Sequence, residues 1–298
     1  MNKIKRTVGF ILAHPLAERH IVKSLCQFMI WQIQCTLSPT KLFVKPFVKP
    51  VTFYARKGLT GITGNIYVGL HEFNDMMFLL HFLRSEDTFF DVGANVGAYT
   101  LLASGVVRSK SIAIEPIEST CKILSKNLQL NQLDNRATPI NSAAGAKMGM
   151  ITFTSGQDTT NHVITENEMT ESGTVMVPVI SIDSLLNEKT APSLMKIDVE
   201  GFETEVLKGA EATLNQSSLK AIIIELNGSG ARYGYNEEEI HQFLISKGFR
   251  PFIYDPFSRT LSVLETYGHE NTIYCRDLDF INRRLQYADA ISIMGELI

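Results

Sequence analysis

A short apolar strand that stops on an acid and turns through glycines narrows the folds open to this chain. The segment is Phe89-Phe90-Asp91-Val92-Gly93-Ala94-Asn95-Val96-Gly97. It reads as a strand, a turn and the start of a helix, which lets backbone N–H groups and a helix end approach a small ligand. A dinucleotide fingerprint needs three glycines at G-x-G-x-x-G, whereas only Gly93 and Gly97 are present, as G-x-x-x-G. No Gly-Lys-Ser/Thr follows, which excludes a phosphate-binding P-loop. Asp91 would repel phosphate but suits an ammonium or sulfonium group. Further on, the apolar strand Ile112-Ala113-Ile114 ends at Glu115-Pro116. A carboxylate there can accept hydrogen bonds from a ribose diol. Together these residues favour S-adenosyl-L-methionine as the ligand.

The surrounding pattern is α/β. Strands are expected at 88–92, 111–114, 137–141, 194–197, 221–226, 251–254 and 272–275, with a further strand at 260–264. Helices are expected at 74–83, 119–130, 204–214 and 237–247. Such alternation predicts a mostly parallel sheet with helices on both faces, and the last three strands, with no helix between them, predict an antiparallel edge. The alternation breaks once, where strands at 150–154 and 174–179 flank a polar insert over 155–173. Ahead of the regular region, apolar residues at helical spacing over 16–37 predict a helix. It packs on the domain or on a second subunit as a homodimer, or it attaches peripherally to a membrane surface. Residues 39–69, with Lys45-Pro46 and Lys49-Pro50, read as irregular or short-strand structure. The expected division is an N-terminal extension over 1–66 and one domain over 67–298.

Charge and cysteines exclude several classes. A net charge of −3 gives no global attraction to nucleic acid. The four cysteines, Cys26, Cys35, Cys121 and Cys275, lack metal-ligand spacing, so they read as reduced thiols of a cytoplasmic protein. The apolar run from Val8 to Ala13 is too short to span a membrane. No two histidines have ligand spacing.

Ligands of open α/β sheets bind at the carboxyl ends of the strands, and further polar residues fall there. Asn141-Ser142 follows the third strand and can reach an adenine ring; an ordinary turn is the other reading. Met195-Lys196-Ile197-Asp198-Val199-Glu200-Gly201-Phe202-Glu203 ends the fourth strand. Asp198 there suits a general base for a substrate hydroxyl or a metal ligand. Glu200 reads equally as a functional acid or a helix cap, and Glu203 reads as a cap. Asp198, Glu225 and Asn227 are a weak candidate set for one divalent metal, which is not otherwise expected. His162 reads as a solvated loop residue more than a base. The loop from Gly228 to Tyr235 is either a substrate wall or a plain connection.

The segments from Phe90 to Gly97 with Tyr99-Thr100, Ile114-Glu115-Pro116, and Lys196 to Glu203 resemble the FkbM family of S-adenosylmethionine-dependent methyltransferases. The resemblance runs from about Tyr67 to Cys275. It implies the class I methyltransferase fold, a Rossmann-like seven-stranded sheet with its last strand antiparallel, and O-methylation of hydroxyls on sugars of glycans or glycolipids, or on secondary metabolites. By resemblance, Asp91, Gly93, Asn95, Gly97 and Glu115 belong to the cofactor site, to which the strand-end reading adds Ser142. Asp198 and Glu200 are the expected catalytic acids. Two alternatives are a nucleic-acid methyltransferase, which would show an Asn/Asp-Pro-Pro-aromatic run after the fourth strand, and a non-catalytic cofactor-binding subunit. Acceptor specificity is expected to reside in the extension and the insert.

Overall fold

The computed structural model describes residues 3–156, 160–165, 173–187 and 190–298. The expected polar insert therefore lies partly outside the described residues. The extension folds as helices α1 (Lys3–Ala13), α2 (Pro15–Arg19) and α3 (Ile21–Leu37), a hairpin of β1 (Phe43–Pro46) and β2 (Thr52–Ala55), and helix α4 (Thr60–Val68). The helix expected over 16–37 is thus split at His20, and α1 is an additional helix. Pro15 disfavours helical backbone at His14 and ends α1, yet suits the first turn of α2. His14 caps that turn, its Nδ1 accepting from the Ala17 N–H at 3.2 Å. α4 replaces the irregular structure expected there. Its glycines lower helix propensity, but a Cβ on Gly64 would lie 2.2 Å from His71 Nδ1, so close packing requires the glycine.

The regular region begins with α5 (Phe73–Phe82), β3 (Thr88–Val92) and α6 (Ala98–Leu101), which continues as one π-helical stretch over Leu102–Val107. β4 (Lys110–Ile114), α7 (Glu118–Leu130) and β5 (Ala137–Ile140) follow. A side sheet is built from β6 (Ala143–Ala144), β7 (Gly149–Thr154) and β8 (Thr174–Ile180). The chain then runs through β9 (Leu194–Ile197), α8 (Glu203–Lys208), α9 (Glu211–Leu214), β10 (Ala221–Glu225), α10 (Glu237–Ser246), β11 (Arg250–Asp255), β12 (Thr260–Val263) and β13 (Asn271–Cys275). It ends in α11 (Leu278–Gln286) and a small hairpin of β14 (Ser292–Ile293) and β15 (Glu296–Leu297). The single helix expected over 204–214 is divided at Gly209. A Cβ there would lie 2.1 Å from the Gly145 carbonyl oxygen, and the Asp183 carboxylate caps α9 through the Ala212 and Thr213 N–H groups.

The main sheet has the order β5-β4-β3-β9-β10-β13-β11-β12. β13 runs antiparallel between β10 and β11, as in the class I methyltransferase fold. The sheet has eight strands, not seven, because β12 folds back on β11 from Phe252↔Val263 to Asp255↔Thr260 and extends the edge. The strand order reverses between β3 and β9, which opens a crevice at their carboxyl ends. Side chains alternate across the sheet, so its two faces feed two cores. Phe89, Ala113, Leu194 and Ile223 pack with α5, α7, α11 and the extension, including Ile11, Leu16, Phe28 and Ile62. Phe90, Val92, Met195 and Ile197 pack with α8, α9 and α10. No helix among the described residues is long and apolar enough to cross a membrane.

Two asparagines, Asn127 on α7 and Asn131 just past its end, complete the outer edge of β2. Asn131 Oδ1 accepts from the Thr52 N–H at 2.9 Å, and its Nδ2 donates back to the Thr52 carbonyl at 2.7 Å. Asn127, fully buried, accepts from the Tyr54 N–H at 2.7 Å and donates to the Val96 carbonyl at 2.8 Å. One side chain thus ties the extension to the glycine turn. Asn127→Ala strands a buried donor and a buried acceptor, so the expected loss is roughly 2–4 kcal/mol. Urea unfolding monitored by circular dichroism checks it; an unchanged midpoint would show that the tie is dispensable.

Candidate active site

Strand register brings the two sequence signals together. β3 and β9 pair in parallel with Asp91 beside Lys196. Both side chains are almost completely buried. Lys196 Nζ donates to Asp198 Oδ2 at 2.6 Å and lies 4.8 Å from the centroid of the Tyr99 ring. Burial pulls the Lys196 ammonium down, but the charges of Asp198, Glu72 and Asp91 outweigh it, so its pKa is raised and it stays protonated. Burial pushes the Asp91 carboxyl up to about 6, with Lys196 opposing. Asp91 Oδ2 accepts from the Thr100 N–H at 3.0 Å and the Thr100 hydroxyl at 2.6 Å, which fastens the start of α6 to β3.

The glycine turn works differently from the expectation that its N–H groups face a ligand. The N–H groups of Gly93 and Ala94 both donate to the Ile114 carbonyl, at 3.0 and 2.9 Å. The Asn95 N–H donates to Glu115 Oε2 at 3.0 Å, and the Val96 N–H to Asn95 Oδ1 at 2.7 Å. The Gly97 N–H goes to the Ala94 carbonyl. With its donors used internally, the turn presents oxygen acceptors instead, which suits a cationic ligand and not an anion. Its glycines serve close approach. Gly93 has φ +84, and a Cβ there would lie 1.7 Å from the Asp198 carbonyl oxygen. The turn therefore packs directly on the Asp198 loop.

That loop is held by Glu203, whose Oε1 accepts from the Val199 and Gly201 N–H groups at 3.2 and 3.1 Å, so it ties down the loop ahead of α8 instead of capping the helix as expected. It forces Glu200 into the left-handed region at φ 56, an unfavourable backbone for a residue with a Cβ. Asp198, Glu200 and Glu225 each offer a carboxylate oxygen, all within 4.8 Å of one another. Burial first, then the Asp198 charge, pushes Glu200 up to about 7 and raises Glu225 further. Asn227 does not join this set. It is exposed and its Oδ1 accepts from the Ser229 N–H, so the three-oxygen candidate set for a metal contains Glu200 in its place. Lys196 already supplies a positive charge to that set.

One cavity of 710 Å³ collects most of the expected residues: Asp91, Gly93, Asn95, Glu115, Ser142, Asp198, Glu200 and Glu225 line it. Gly97 does not. It lies behind the turn, where a Cβ would meet Leu124 Cδ1 at 2.4 Å. Glu115 is buried and pushed up to about 7, chiefly by burial; its Oε1 accepts from the Ile117 N–H at 2.9 Å. Asn141 turns away, its Nδ2 donating to the carbonyls of Glu115 and Pro116. The loop after β10 does not wall the cavity. Tyr233 donates to the Val163 carbonyl and Tyr235 to Glu205. His162, expected in solvent, is buried. Sequence reasoning missed Lys196, whose signal is a lone charge inside the apolar run Leu194–Ile197. It also missed the wall formed by Arg6, Phe10, Thr63, Tyr67 and Glu72.

Comparison with known proteins is consistent across this region. The family described as the methyltransferase FkbM domain matches residues 91–251. Over 151 residues the chain is 28% identical to the hexuronic acid methyltransferase AglP of Haloferax volcanii, a match covering 50% of this chain and 59% of that protein. The chain thus spans less than two thirds of that relative. Among solved structures it is similar to methyltransferase FkbM from Methylobacillus flagellatus, at 15% identity and a TM-score of 0.45, covering 72% of this chain and 52% of that one. It is also similar to a precorrin-6y C5,15-methyltransferase from Geobacter metallireducens, at 12% identity and a TM-score of 0.41, covering 75% and 93%.

The two turn glycines should differ sharply on substitution. Gly93→Ala collides with backbone in a left-handed position, and a loss of more than about 3 kcal/mol is expected. Gly97→Ala, also left-handed at φ +93, meets only the end of Leu124 and should cost about 1–2 kcal/mol. Thermal melting of both variants ranks them; equal losses would show that contact with the Asp198 loop does not fix the turn.

Proposed function

The chain belongs to the methyltransferase FkbM family, and from that premise we propose that it is an S-adenosylmethionine-dependent O-methyltransferase acting on a sugar hydroxyl. The observation that carries this reading is the acceptor-rich cavity at the junction of β3 and β9, where three carboxylates meet one buried ammonium. Its volume falls in the range of small-molecule sites. The backbone N–H groups of its turn are all used internally, which fits the ammonium and sulfonium of the cofactor.

When bound, S-adenosylmethionine supplies a methyl group already activated by its sulfonium. Glu115 still has acceptor capacity beyond its two backbone bonds, so it would hold the ribose diol, with Ser142 toward the adenine. Asp91 and the Gly93–Asn95 turn would hold the ammonium of the amino-acid end. The protein then aligns an acceptor hydroxyl and removes its proton. Glu200, at about 7, is poised to take that proton, while Asp198, fixed by Lys196, orients the hydroxyl. With the Lys196 ammonium beside these carboxylates a divalent metal is not expected, so turnover should survive a chelator. The acceptor by similarity is an acidic sugar, and Arg6 on the cavity wall would meet its carboxylate.

Transfer of isotopic methyl from S-adenosylmethionine to oligosaccharides ending in a hexuronic acid tests the reading. An alkali-stable methyl ether is expected. An alkali-labile ester would move the reaction to the carboxylate, and no transfer to any sugar would remove the assignment. Asp198→Asn should keep cofactor affinity and lower kcat about a hundredfold. As a base, Glu200 works deprotonated, so kcat should rise with pH through about 7. Removing the Asp198 charge should move that midpoint down. An unmoved midpoint would take Glu200 out of the proton path.

A further inference from the structure

Tyr99 buries a hydroxyl that the fold does not use. It follows Gly97 by two residues at the start of α6, is only 5% exposed, and lines the cavity. Its ring is fixed against Lys196 Nζ, 4.8 Å from the centroid, and that ammonium is bonded to Asp198. The hydroxyl itself has no hydrogen-bond partner among the described residues. A buried phenol ordinarily finds one, because an unpaired polar group inside a protein is destabilising. Burial first, then the charges of Glu72, Asp75 and Asp198, hold the phenol well above its ordinary pKa, so it keeps its proton.

Glu72 stands on the same cavity wall, immediately ahead of α5, and its carboxylate does not cap that helix. A free phenol proton and a non-capping carboxylate thus share the cavity with the Lys196–Asp198 pair. Their chemistry selects the atom that would meet them. An alcohol hydroxyl suits both groups, accepting from Tyr99 while donating to Glu72. A carboxylate has no proton for Glu72 and would meet its like charge. An ammonium has no lone pair for the phenol proton, and Lys196 against the ring would repel it.

We propose that Tyr99 and Glu72 hold a second hydroxyl of the acceptor sugar while the first is methylated beside Asp198 and Glu200. The inference rests on the methyl-transfer reading and adds a requirement to it. The acceptor must carry two free hydroxyls. A sugar deoxygenated at the second is a poor substrate even with its reacting hydroxyl intact, because it leaves the phenol unpaired.

Methyl transfer to oligosaccharides ending in a hexuronic acid, and to the same oligosaccharides with single hydroxyls of that residue removed, tests it. The native chain should discriminate against one deoxy analogue that still carries the methylated hydroxyl. Tyr99→Phe should raise KM for the parent sugar about tenfold, with a smaller change in kcat, and lose most of that discrimination. Glu72→Ala should act in the same direction. Calorimetry with S-adenosylhomocysteine should give Tyr99→Phe the native affinity. Its melting temperature should not fall, since the deleted hydroxyl has no partner in the protein. The assignment is overturned if Tyr99→Phe keeps the native KM and discrimination. It is also overturned if S-adenosylhomocysteine affinity is lost instead, which gives the hydroxyl to the cofactor, or if the melting temperature drops, which gives it a structural bond. If the native chain methylates none of these oligosaccharides, the methyl-transfer reading falls and takes this inference with it. Native transfer with an indifferent Tyr99→Phe removes the Tyr99 contact alone.

Discussion

The buried ammonium of Lys196 is the charge around which the site is arranged. It lies in a parallel strand between apolar neighbours, where an unpaired charge would be prohibitive. Asp91 beside it in the register, Asp198 two residues on and Glu72 from the helical layer keep it protonated. In return it offsets part of the negative charge that gathers at the strand ends. Asp91 uses its position to hold the start of α6, and Asp198 is left facing the cavity.

Geometry adds what charge alone does not. The glycine turn and the Asp198 loop are distant in sequence but share one contact, Gly93 against the Asp198 carbonyl, which only a missing side chain allows. The turn closes its own hydrogen bonds on β4, and Glu203 closes those of the facing loop. Both loops are thereby self-supporting before any ligand arrives. This is how a site on loops holds carboxylates close together despite their repulsion.

Local signals reached far in this chain. The strands from β3 to β13 apart from the two-residue β6, and most of the helices between them, follow from period and turn residues, and the acids at 91, 115 and 198 from their places at strand ends. What escaped depends on partners remote in sequence. α4 carries two glycines that weaken a helix, and it forms because Gly64 lets His71 pack against it. The β2 edge is closed by side chains on and just past α7, which no strand pattern announces. Gly97 and Asn227 look like site residues by spacing, yet one backs onto Leu124 and the other closes its own turn. The cavity wall from Arg6 to Tyr67 was invisible because tertiary packing alone brings it over the sheet.

That wall shares its interior with the sheet. Ile11, Leu16, Phe28 and Ile62 belong to the same apolar cluster as Phe89, Leu194 and Ile223. The segment that shapes the cavity mouth is therefore also a structural half of the core. Acceptor preference in such an architecture cannot be exchanged like a module. A graft from a relative would trade foldability along with selectivity, so divergence toward a new acceptor must proceed by point changes on the wall while the residues behind it stay put.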